Sequence, residues 1–118
     1  MSSLKEYKTL KSSKQFNYFY NNSKRIHTSS AIVFYKKMNQ KQIGFTASKK
    51  IGNAVNRNFA KRRLRAFFTE FSKNLTEGTY VFVAKKEILD IEFSKLQNDL
   101  SHALKRVGAL HNGQKSSS

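Results

Sequence analysis

The stretch Ser48-Lys49-Lys50-Ile51-Gly52-Asn53-Ala54-Val55-Asn56-Arg57-Asn58-Phe59-Ala60-Lys61-Arg62-Arg63-Leu64-Arg65 holds seven basic residues and no acid. Gly52-Asn53 supplies a turn followed by a good N-capping residue, so a long helix is predicted from about Asn53 to Lys73 or Leu75. At roughly 100° per residue, with Arg57 at 0°, Lys61 and Arg65 fall near 40° and 80°, Asn58 near 100° and Arg62 near 140°. Ala60, Leu64, Phe67, Phe68 and Phe71 cluster instead between about 280° and 20°, the width of a core-facing stripe. One stripe builds a core and the adjacent stripe is a cationic ribbon. Arg57, Lys61 and Arg65 form i, i+4 like-charge pairs, which destabilise an isolated helix by on the order of a few tenths of a kcal/mol each. The macrodipole adds to that cost at Arg57. A sequence optimised only for folding would favour Glu there. Guanidiniums one turn apart, Asn58 beside them and helix N-terminal amides all suit phosphate oxygens, the plain alternative being a solvated basic face.

Outward from this helix, Ala31-Ile32-Val33-Phe34-Tyr35 and Ile43-Gly44-Phe45-Thr46-Ala47-Ser48 flank a polar turn over Lys36 to Gln42. They read as two antiparallel strands joined in a hairpin. A shorter strand fits Lys24 to Thr28. Upstream, Ser12 or Ser13 caps a short helix to about Asn22 that carries Phe16, Phe19 and Tyr20 at i, i+3 and i+4. A basic lead-in precedes it, with Lys5, Lys8, Lys11 and Lys14 interleaved by Leu4, Tyr7 and Leu10. Downstream, Glu77-Gly78 closes the long helix and Tyr80 to Ala84 reads as a buried strand. Phe93, Leu96, Leu100, Ala103, Leu104 and Val107 then predict a helix from about Ile91 to Val107, with Gly108 as its C-cap. The expected fold is α+β, roughly α-β-β-(β)-α-β-α, with helices packed on a small mixed sheet. Residues 1–110 form one domain in this reading, and 111–118 a disordered polar tail.

Composition narrows the function. The chain has 118 residues, 23 Lys+Arg, 7 Asp+Glu, a net charge of +16, no Cys and no Pro. Leu, Ile, Val and Phe number 30, enough for a small core. Residues 1–65 hold 16 Lys/Arg and one acid, whereas 66–118 hold 7 Lys/Arg and 6 acids. Such asymmetry points to a polyanionic partner more than to a surface made soluble by mixed charge. Absent cysteine removes disulfides, thiolate metal sites and cysteine nucleophiles. Apolar runs of a few residues are too short to span a membrane, and the polar Met1 to Glu6 start has no signal-peptide core, so a cytoplasmic protein is expected. Only Asp90/Glu92 and Asp99/His102 pair closely enough to resemble acid/base or metal chemistry. The first flanks a helix start and the second is a common one-turn spacing, while His27 and His111 lack acidic neighbours. No P-loop, dinucleotide motif or nucleophile elbow is present. We therefore assign no catalytic and no metal-binding residue to the chain.

The run Ser48 to Val55, followed by Arg57-Asn58, Lys61-Arg62 and Arg65, resembles the signature of the bacterial ribonuclease P protein subunit, and the order of the flanking elements matches that family over most of the chain. The resemblance implies a ribosomal-protein-S5-domain-2-like fold with a left-handed β-α-β crossover. It implies a protein, monomeric when free, that joins a catalytic RNA to remove the 5′ leader of precursor transfer RNA, with Mg²⁺ held mainly by the RNA. Carried over residue by residue, the catalytic-RNA contact would use Lys50, Asn53, Arg57, Asn58, Lys61, Arg62 and Arg65. The leader would lie in a cleft between the first helix and the sheet, lined by Phe16, Tyr20, Val33 and Tyr35 with Ser48 and Lys49 at its edge.

Several points stay open at this level. Phe16 and Tyr20 either stack on leader bases or simply pin their helix to the sheet. Val33 and Tyr35 share one strand face and Ile32 and Phe34 the other, which predicts only one pair in the core. The family usually carries Arg where this chain has Phe59, a ring near 200° on the wheel that is either exposed for stacking or covered by the lead-in, and Arg63 could partly replace the missing charge. A ribosomal or other structural RNA-binding protein is the main alternative, and a DNA-binding module ranks lower for want of a helix-turn-helix pair or zinc ligands. Every one of the RNA readings requires counterion release. Binding of the chain to RNA, followed by fluorescence anisotropy from low to high salt, is expected to weaken with a log–log slope of about −0.7 to −0.9 per phosphate contacted. A salt-independent affinity would contradict them all.

Overall fold

A computed structural model describes residues 6–111. Local chemistry sets the helix starts. Ser12 Oγ accepts the Gln15 amide at 3.1 Å and Gln15 Oε1 accepts the Ser12 amide at 3.1 Å. This reciprocal capping box opens α1 (Ser13–Asn22). Asn53 Oδ1 accepts the Asn56 amide at 2.9 Å to open α2 (Ala54–Phe71), which tightens into a 3-10 turn over Ser72–Asn74. The final helix, α3 (Phe93–Arg106), ends in a turn where Gly108 and Ala109 donate to the carbonyls of Lys105 and Leu104. Beyond it His111 still donates to the Asn74 carbonyl at 3.0 Å, so it belongs to the domain. The rest of the expected polar tail, 112–118, lies outside the described residues, as do 1–5 of the lead-in.

Five strands complete the described residues: β1 (Lys8–Thr9), β2 (Lys24–His27), β3 (Ala31–Lys37), β4 (Gln42–Ala47) and β5 (Gly78–Ala84). They form one mixed sheet in the order β1-β4-β5-β3-β2. The expected hairpin between β3 and β4 is not formed. Instead β5 inserts between them, antiparallel to β3 and parallel to β4, with α2 as the crossover from β4 to β5. The reason is that β5 is apolar on both faces: Tyr80 and Phe82 join one core cluster, while Val81 and Val83 pack in the other. Such a strand is stable only with a neighbour on each edge and a layer on each face. The segment 38–41 spans the end of β5, about two strand spacings or roughly 10 Å, within reach of four residues.

The layers follow from the alternation. Val33, Tyr35, Ile43, Tyr80 and Phe82 point to the face covered by Ala60, Leu64, Phe67 and Phe68 of α2 and Leu96, Leu100 and Leu104 of α3. Phe34 and Val81 point to the opposite face, where Leu10 and Phe19 bury them and Phe16 and Tyr20 pack alongside. Both strand pairs predicted as alternatives are therefore largely inside. Gly44 is part of the fit: a Cβ there would stand 2.6 Å from the Phe16 ring, so its absence lets α1 approach β4.

Tyr7, from the lead-in, sets its ring edge against Phe68 at 4.9 Å, and its buried hydroxyl has no hydrogen-bond partner. Burial first, then the nearby Glu6, Glu77 and Tyr35, pushes its pKa up to about 12 from 10.0. Burial also raises Tyr80, whose hydroxyl donates to the Thr76 carbonyl. Above pH 10 the unfolded chain loses these protons before the folded one does. Stability is therefore expected to hold up to about pH 10 and to fall between about 10 and 12. Urea unfolding near neutral pH and near pH 11 should show Tyr7→Phe unchanged or more stable at neutrality and losing less at alkaline pH. An alkaline loss equal to that of the unaltered protein would contradict this assignment.

Candidate RNA interface

The approach to α2 is built by short-range backbone chemistry. Ser48 leaves β4 with its amide donating to the Ala84 carbonyl at 2.9 Å, and its Oγ accepts the Lys50 amide at 3.2 Å. A single turn over Lys49–Ile51 buries Ile51 and leaves Lys49 and Lys50 exposed. Gly52, at φ +100°, then reverses the chain into the Asn53 cap, a conformation that L side chains rarely adopt. The helix that follows has no acid in its first turn, and Glu70, close to its end, accepts a hydrogen bond from Gln97 at 2.8 Å.

Ala60, Leu64, Phe67 and Phe68 are fully buried, which fixes the rotation of α2 about its axis. The rotation leaves Asn53, Arg57, Asn58, Arg62 and Arg65 exposed and Lys61 half-buried along one side, continuous with Lys50. All seven residues assigned to the catalytic-RNA contact thus come together. The two ion pairs among the described residues, Lys41–Glu6 and Lys95–Asp99, involve none of them. Arg65 lies over the Phe45 ring at 5.3 Å, an apolar rest for its stem that leaves the residue exposed. Arg63 is different. Its guanidinium donates to the Ile88 carbonyl at 2.7 Å and lies between the rings of Phe59 and Phe93. It is a structural cation and does not supply the charge that Phe59 omits.

The leader set does not assemble as expected. Phe16, Tyr20 and the sheet meet on the α1 face, with Tyr20 4.9 Å from the Phe34 ring. Val33 and Tyr35 lie on the other face at 1% and 4% exposure, under α2 and α3, and Tyr35 stacks on Tyr80 at 5.0 Å. Tyr35 also lines a cleft of about 860 Å³ with Lys24, Lys36 and Lys37, at the end of the sheet away from the α2 N-terminus. The residues that share the α1 face are Ile32 and Phe34, one position earlier on β3. Register places Thr46, Val83, Ile32 and His27 in one row across β4, β5, β3 and β2. The first three are half-buried and His27 is exposed, so α1 leaves this row partly open. Arg25 pairs with Phe34 in the next row and is exposed. Ser48 and Lys49 follow β4 at the end of the open row, as an edge should. Sequence reasoning missed Ile32, Thr46, Val83, His27 and Arg25, because their common face depends on which strands pair.

No group of three or more His, Asp or Glu side chains converges to hold a metal ion among the described residues. Fold and surface together define a class: a small basic α+β protein whose central helix presents an acid-free cationic face to a polyanion. The family model described as Ribonuclease P matches residues 4–108. A ribonuclease P protein component from a Nitratiruptor species is 38% identical over 104 residues, covering 88% of this chain and 95% of that protein. Among solved structures, the RNase P protein from Staphylococcus aureus superposes with a TM-score of 0.74 at 26% identity, over 92% and 94% of the two chains. The RNase P protein from Thermotoga maritima shares the fold, with a TM-score of 0.73 at 23% identity over 84% and 96%. The chain belongs to the ribonuclease P protein component family, and it is a protein subunit of ribonuclease P.

Because Tyr35 is a core residue, Tyr35→Ala is expected to act on folding, at a cost of about 3 kcal/mol or more. Urea denaturation should show this shift. A Tyr35→Ala protein as stable as the original and defective only in RNA binding would contradict the placement.

Proposed function

We propose that the α2 ribbon and Lys50 in the turn before it hold the catalytic RNA, and that the open row beside α1 receives the single-stranded 5′ leader of precursor transfer RNA, promoting leader removal. The observation that carries this reading is the acid-free face of α2, whose cations have no ion-pair partner among the described residues. Their mutual repulsion is relieved when phosphates neutralise them and counterions leave. The α1 face suits a different ligand. Its half-buried Thr46, Val83 and Ile32 offer an apolar floor for unstacked bases, while Arg25, His27 and Lys49 at its margins meet the backbone. Hydrolysis and its Mg²⁺ belong to the RNA in this proposal. The protein positions, screens charge and lengthens the contact with substrate. No relative reported above supports the ribosomal alternative.

The test is reconstitution with a bacterial ribonuclease P RNA at low Mg²⁺, where the protein should stimulate leader removal and a merely structural RNA binder should not. Two variants separate the two surfaces. Arg57→Ala is expected to weaken association with the catalytic RNA by roughly tenfold or more, the worth of a hydrogen bond to a charged group. Ile32→Ala should instead reduce the preference for precursor over mature transfer RNA by about fivefold, from lost apolar contact. Loss of the same quantity in both variants would refute the division of labour.

A further inference from the structure

Phe59 is 38% exposed on the outer face of α2, and Val55, one turn earlier on the same stripe, is 76% exposed. Neither side chain belongs to the core-facing stripe of α2, and both stand on its most cationic stretch. The ring is nevertheless held. The Arg63 guanidinium centre lies 5.5 Å from the Phe59 ring centroid and 5.9 Å from that of Phe93, and the same guanidinium is tied to the Ile88 carbonyl at 2.7 Å. Phe59, Arg63 and Phe93 form a tier anchored to the segment that leads into α3. Beside it a shallow cavity of about 300 Å³ is lined by Phe59, Arg62, Arg63, Ala66 and Phe93. Arg62, on its rim, is exposed and has no hydrogen-bond or ion-pair partner among the described residues.

We infer that this tier is a stacking site for one unpaired nucleobase of the RNA partner, with Arg62 taking the adjoining phosphate. The inference rests on the proposal that α2 faces the catalytic RNA, and it names a contact on that face that is not ionic. Charge selects the occupant. An apolar cavity between the guanidiniums of Arg62 and Arg63 attracts a ligand with an aromatic face and a negative backbone, and a nucleotide has both. The cation behind the ring polarises it and fixes its plane, so little freedom is lost when a base arrives.

The test measures affinity of the full chain for a bacterial ribonuclease P RNA transcript as a function of salt. Phe59→Ala is expected to weaken binding by roughly 5- to 100-fold, the range for one stacked base, with the salt slope unchanged because no counterion-releasing group is lost. Phe59→Trp should retain affinity, and Phe59→Leu should not recover it. Thermal unfolding of each variant controls for the fold. Unchanged affinity in Phe59→Ala, or full recovery in Phe59→Leu, would overturn the stacking site. Arg57→Ala separates the two levels: if it weakens binding while Phe59→Ala does not, only the stacking inference fails. If neither has an effect, the assignment of α2 to the RNA fails with it.

Discussion

Everything on the cationic side of α2 depends on how Phe67 and Phe68 of that helix seat against Phe82 of β5. Their ring centroids lie 6.2 and 5.9 Å from that of Phe82, and Phe68 also meets Tyr80 at 5.8 Å and Tyr7 at 4.9 Å. These packed aromatics, with Ala60 and Leu64 fully buried beside them, leave α2 one rotation about its axis. A turn of the helix by a third of its circumference would bury arginines and expose phenylalanines. The cationic ribbon therefore points outward because the core forces it to. An electrostatic surface that weakens an isolated helix is maintained by packing on the far side of the same helix.

The same central strand divides the molecule's labour. With β3 and β4 on its edges, β5 places Phe82 and Tyr80 under α2 and α3 and Val81 and Val83 under or beside α1. One face of the sheet is closed by two helices and serves stability. The other is covered by one helix, the ten residues of α1, with Leu10 and Met38 beside it, which leaves a row of the sheet partly open. Two surfaces of different chemistry result, one of exposed cations and one with a half-buried apolar floor and basic margins.

Much of this was legible in the amino-acid sequence, and the failures have a common physical origin. Capping residues and i, i+3, i+4 spacings are local, so Ser12, Asn53 and Gly108 mark helix ends where the structure has them, and the two stripes of α2 could be assigned by angle alone. Strand pairing is not local. Ala31 to Tyr35 and Ile43 to Ala47 look like a hairpin because a short polar segment joins them, yet five consecutive apolar residues in β3 already signal a strand covered on both faces, which needs two neighbours and two layers. The same gap misplaced Val33 and Tyr35. Alternation separates the faces of a strand but does not say which helix covers each, so the pair that faces α1, Ile32 and Phe34, lay one residue away. The ring of Phe59 was visible as an anomaly on the wheel, while its bracing by Arg63 and Phe93 required the fold.

The central claim is that the protein meets its catalytic RNA through the face of α2 and the turn before it, leaving the Lys95 and Lys105 side chains of α3 in solvent. Lysine acetylation followed by mass spectrometry, with and without a bacterial ribonuclease P RNA, tests it most directly. The account predicts protection of Lys50 and Lys61 in the complex, with Lys95 and Lys105 of α3 as reactive as in the free protein. Protection of the α3 lysines with Lys50 and Lys61 left reactive would contradict it.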